Sequence, residues 1–155
     1  MSSRNLQNAA CAVILAVWIA SFFLPSLADG QNTLPGYAAA GLSAMALGIG
    51  AKALFTSNHS DLAIMLYLGS FCLANAFMLV SPFALRLARR GRALVILCLM
   101  GFWVLLDWSY IFYGQATRNM NLVRLGWWIW EGSLIAMTVL LYVVRHESLA
   151  NRGND

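Results

Sequence analysis

Five long apolar runs, separated by short polar stretches, organise the chain. They cover residues 9–28, 36–55, 62–85, 93–113 and 122–144. Each is continuous rather than alternating, which predicts helices and argues against a membrane β-barrel. About 20 apolar residues suffice to carry a helix across ~30 Å of hydrocarbon. The expected fold is therefore all-α, a polytopic transmembrane helix bundle forming one integral membrane domain over residues 1–155. The stretches 29–35 (DGQNTLP), 56–61 (TSNHSD) and 114–121 (GQATRNMN) read as polar turns. The tail 145–155 is polar and reads as frayed.

The second run differs from the others. Small residues fill it, and Ala40, Ala44 and Gly48 recur every four positions. That spacing lets helix backbones approach closely in a membrane. Its glycines each weaken a helix by about 1 kcal/mol relative to alanine, and Lys52 interrupts its end. The pattern predicts four spanning helices plus one re-entrant or outer-side helix at 36–55. The alternative is five spanning helices. The first run has the outline of a cleavable signal peptide, with Ser26, Leu27 and Ala28 before Asp29. Its length and Trp18 favour a retained helix.

Composition says which solvent the helices meet. The chain is 61% hydrophobic and 10% charged, with mean hydropathy +0.69. A soluble domain carries roughly 25% charged residues, so lipid is the expected surrounding. The net charge of +4 lies at the ends of apolar runs, the anchoring pattern of membrane helices rather than a nucleic-acid surface. Arg86, Arg89, Arg90 and Arg92 are four of the ten Lys and Arg residues. They mark the cytoplasmic side. The C-terminus is then cytoplasmic under either helix count. With four crossings the N-terminus is cytoplasmic too, and seven of the ten cations fall inside (Arg4, these four, Arg145 and Arg152). Five crossings leave six inside. The expected location is a bacterial inner membrane.

Two ionisable groups lie within apolar runs, Asp107 and Glu131. Such groups are costly in lipid and are functional candidates. Consecutive helices joined by a short loop are antiparallel neighbours, and both acids fall roughly 10–14 Å below the outer surface at 1.5 Å per residue. Held close, they would share a proton. Pairing of Arg124 with Glu131, or Arg118 with Asp107, would make them structural instead. Trp108, Trp127 and Trp130 stand among further aromatics and read as an interfacial belt or as the walls of an outward-opening pocket. Asn75 reads as an interhelical hydrogen-bonding residue. His59 and His146 are isolated. Cys11, Cys72 and Cys98 form no CxxC and read as buried apolar residues, so neither a metal nor another cofactor is expected. The sequence carries no HExxH, GxSxG, P-loop or GxGxxG motif, and a non-enzymatic role is expected.

In size, helix count and charge layout the chain resembles the small polytopic immunity proteins that protect bacteria against pore-forming toxins. No motif carries the resemblance, so it transfers no functional residue. It implies a binding role with a membrane-acting toxin as partner, for which Asp107, Glu131 and Asn75 would offer polar contacts. Two other roles fit the same residues. One is a proton or cation transporter or channel subunit, working as a homo-oligomer. The other is an accessory subunit of a larger membrane complex.

Overall fold

A computed structural model describes residues 3–29, 32–54, 62–116 and 124–152. The order is α1 (Ser3–Ser21), β1 (Pro25–Asp29), β2 (Asn32–Pro35), α2 (Gly36–Leu54), α3 (Leu62–Ala88), α4 (Leu94–Ala116) and α5 (Leu125–Arg152). The chain is mostly helical, as its apolar runs predict.

The first departure is at the end of α1. The helix stops at Ser21, not near residue 28. Ser21 Oγ donates to the Trp18 carbonyl at 2.6 Å, and Phe22, Phe23 and Leu24 continue in tight i−3 turns. Pro25 then has no N–H and disfavours helix at Leu24. The expected turn at 29–35 is part of an antiparallel hairpin that pairs Leu27 with Leu34, Ala28 with Thr33 and Asp29 with Asn32. Its register slips between Pro25 and Leu27.

The second departure concerns α2. It packs on α3, where Gly69 meets its backbone. A Cβ at Gly69 would lie 2.6 Å from Leu47 Cα. Gly36, Ser43 and Ala46 are buried positions of α2. Of the expected stripe, Ala40 is half-buried, whereas Ala44 and Gly48 are exposed and nothing lies within 4 Å of a Cβ at Gly48. The residue that permits close approach sits on the partner helix, so α2 presents Ser43, Ala46 and Leu47 instead. Ala39 and Ala40 lie near Asn75, and Leu47 lies beside Gly69. The two helices are therefore antiparallel, with α2 running along the N-terminal half of α3. No described residue of α2 joins the core cluster around Met78, Met100 and Leu141.

In α3, Pro82 removes the amide that would bond the Met78 carbonyl. Ser81 Oγ, donating to that carbonyl at 2.7 Å, replaces it. The helix ends in a Schellman motif: Arg92 N–H bonds Leu87 O at 2.9 Å, Gly91 N–H bonds Ala88 O at 2.8 Å, and Gly91 has φ +70°. On α5 a buried stripe runs through Trp127, Trp130, Leu134, Met137, Leu141 and Val144.

One end of the bundle is held by Arg89. Its Nε donates to Gln7 Oε1 at 2.9 Å, and one Nη donates to Asn8 Oδ1 at 2.7 Å and to the Arg4 carbonyl at 3.4 Å. Gln7 Nε2 reaches Glu147 Oε2 at 3.3 Å, and Ser148 Oγ donates to the Arg89 carbonyl at 2.7 Å. The start of α1 and the ends of α3 and α5 thus meet. This tie explains why the expected frayed tail is instead helical to Arg152. Burial, and then repulsion from Arg4, push the Arg89 pKa down. Arg86, Arg90 and Arg92 stay exposed.

Among the described residues two helices are long and apolar enough to cross a membrane: α3 over Phe71–Ala88 and α5 over Leu125–Asn151, with mean hydropathies 1.6 and 1.5. Shorter apolar stretches are Gly36–Ile49 and Leu94–Leu106. Val13, Leu79, Phe83, Val95, Leu105 and Val139 are each more than half exposed. The helices are apolar on their outer faces as well as inside.

Candidate functional site

Three helices converge on Asn75. Trp18 of α1 and Trp130 of α5 both donate their indole N–H to Asn75 Oδ1, at 3.3 and 2.7 Å. An indole only donates, so the atom facing both rings must be the amide oxygen. The Nδ2 group is thereby left with its donors. Among the described residues it has no hydrogen-bond partner, and Asn75 lines a cavity.

That cavity holds about 180 Å³ and is open on one side. Phe22, Leu27, Phe71, Trp127 and Ala40 are among its wall, with Asn75 and Trp130 supplying polar groups. Phe71 meets Trp127 edge-on at 5.3 Å and Trp130 at 6.2 Å. Trp18 meets Phe22 edge-on at 5.0 Å. The lining hydroxyls are committed to backbone carbonyls: Ser21 to Trp18, Ser26 to Leu24 and Ser43 to Ala40. None of the described lining residues is ionisable. Chemically the arrangement can hold an apolar group and give it one hydrogen bond.

The hairpin forms the roof of this cavity through Ser26 and Leu27. It is tied at its base. Gly36 N–H bonds Leu24 O at 3.0 Å, and Arg124 N–H bonds Ser26 O at 3.0 Å. Gly126, in the first turn of α5, allows β1 to lie against that helix. A Cβ there would meet Ser26 Oγ at 2.5 Å and the carbonyls of Leu24 and Pro25 at 2.9 Å.

The residues singled out by sequence divide into three groups. Asn75, Trp127 and Trp130 come together at the cavity. Glu131 is only 1% exposed and buried in α5 next to Trp130, but is not among the lining residues. Trp108 is 38% exposed and stands apart from the cavity. Asp107 lies on α4, but its side chain is outside the described residues, so the expected carboxylate pair is not part of the observed geometry. Arg118 and His59 also lie outside them. Arg124 is exposed while Glu131 is buried, so the two occupy different environments. His146 is exposed, with Tyr142 at 6.1 Å. Among the described residues no group of three His, Cys, Asp or Glu side chains could hold a metal.

Phe22, Leu27 and Phe71 of the cavity wall, and Trp18, whose indole holds Asn75, are not singled out by the sequence pattern. The available sign was Trp18, an indole donor deep in an apolar run that needs an acceptor when buried. No family model matches the chain, and comparison with curated proteins and with solved structures finds no match.

Proposed function

We propose that this chain is a multi-pass inner-membrane protein with a non-enzymatic binding role, and that the cavity beneath the hairpin is its binding site. The outward-facing apolar side chains of α1, α3, α4 and α5 support lipid as their surroundings. Four crossings follow if each of these helices spans. The Arg89 tie supports one common side for the N-terminus, the 86–92 turn and the C-terminus, and the cation count makes that side cytoplasmic. The antiparallel pairing with the far half of α3 supports α2 as an outer-side helix. The cavity then opens in the outer half of the bilayer.

The observation that carries the binding role is the Asn75 amide, held by two indoles so that its donors remain beside an apolar cavity. A role as a toxin-immunity protein or as an accessory subunit is a version of this reading with a protein partner. Ion transport is less well supported, because none of the described residues lining the cavity is ionisable.

Purified protein in detergent, titrated with a bacterial inner-membrane lipid extract, tests the reading. A ligand at 100 times its Kd stabilises by about 2.7 kcal/mol, which raises the apparent Tm of a chain this size by about 5–10 °C. Ala40→Phe places a ring in the cavity and abolishes the rise. Ala44→Phe, on the exposed face of the same helix, keeps it. Equal rises in wild type and Ala40→Phe would overturn the assignment of the site.

A further inference from the structure

The cavity also specifies what it would hold, an inference that rests on the binding reading above. Volume comes first. A cavity of about 150 Å³ lined by apolar side chains stays dry and takes up benzene. This one, at about 180 Å³ and open on one side, admits a ring or a short length of hydrocarbon chain that continues outward.

Charge comes second. Among the described residues no Lys, Arg, His, Asp or Glu lines the wall. A charge brought there would lose its hydration without a counter-ion, a cost of several kcal/mol or more. The guest is therefore neutral at its buried end.

Hydrogen bonding comes third. Asn75 Oδ1 already accepts two indole N–H groups, and the three lining serines donate to backbone carbonyls. The site still offers the Nδ2 donor pair of Asn75, while its remaining acceptors are the weaker serine hydroxyl oxygens. A guest with a donor alone finds its best acceptor occupied, whereas a guest with an acceptor completes the site.

We propose that the cavity binds a hydrocarbon chain carrying one uncharged hydrogen-bond acceptor, a carbonyl or ester oxygen that receives the Asn75 Nδ2–H. A bilayer phospholipid and a free apolar molecule share this chemistry.

The test follows the Asn75 side-chain amide by NMR in full-length, ¹⁵N-asparagine-labelled protein in nanodiscs. The probes are 2-octanone, n-octane and octanoate, with affinities corrected for partition into the bilayer. The ketone shifts the Asn75 amide protons downfield and binds at least fivefold more tightly than the alkane, and octanoate binds more weakly than the ketone. Ala40→Phe abolishes the response to all three. Equal binding of ketone and alkane, both lost in Ala40→Phe, would overturn the acceptor and leave the cavity as the site. Tighter binding of octanoate would overturn the neutral guest. An Asn75 response unchanged in Ala40→Phe would overturn the cavity itself. Nanodiscs of ester and ether phospholipids, with no probe added, separate the sources. A bilayer acyl ester as guest gives different Asn75 shifts in the two lipids, whereas a free guest gives the same shifts in both. In either case the probe series decides the chemistry.

Discussion

Asn75→Leu lowers the stability of the bundle by about 1–4 kcal/mol, the largest loss expected from a single substitution at the site. The change strands two indole donors at once, on Trp18 at 5% exposure and Trp130 at 8%. Interhelical hydrogen bonds in membranes are worth about 0.6–1.7 kcal/mol each, and a buried donor left unsatisfied costs about 1–3 kcal/mol. Trp130→Phe keeps the ring and removes only the 2.7 Å bond, so it costs less than half as much. The midpoint of denaturant-induced unfolding in mixed micelles reads both. A midpoint unmoved by Asn75→Leu would mean that the three-helix junction does not hold the bundle together.

Gly69→Ala separates α2 from α3. The added methyl would lie 2.6 Å from Leu47 Cα and 2.8 Å from Leu47 N and Cβ. Backbone atoms cannot rotate out of the way as a flexible side chain would, so the helix itself must shift. Overpacking of this kind costs about 1–3 kcal/mol. The shift also moves Ala39, Ala40 and Ser43, which wall the cavity, so the lipid-induced rise in Tm falls with the stability. Gly48→Ala, where nothing lies within 4 Å, changes neither. Wild-type behaviour of Gly69→Ala in both measurements would contradict the packing described for α2.

These two positions show how far the sequence could be read. Helix number and order follow from continuous apolar runs, because a run of about 20 apolar residues is a length signature that does not depend on tertiary context. Asn75 stands out as a polar residue within such a run. Its partners do not. Trp18 and Trp130 reach it from 57 and 55 residues away, and spacing carries no record of such meetings. The helix face used by α2 is hidden similarly. Ala40, Ala44 and Gly48 form a regular stripe, yet the contact is decided by a single glycine on α3. The hairpin was obscured because its first strand is drawn from the end of an apolar run, and only Pro25 marks the break. Arg89 illustrates the reverse. Four arginines in one turn read as solvated anchors, but one of them reaches back to Gln7 and Asn8.

Placement of the cavity in the outer half of the bilayer depends on which side each end of the bundle occupies. With Cys11, Cys72 and Cys98 replaced, single cysteines at Ser3, Lys52, Arg90 and Asn151 can be labelled in intact cells with a membrane-impermeant maleimide. The four-crossing bundle predicts that Lys52→Cys labels from outside, while Ser3→Cys, Arg90→Cys and Asn151→Cys label only after permeabilisation. Labelling of Ser3→Cys from outside, alongside Lys52→Cys, would instead mean that α2 crosses, and would contradict the account.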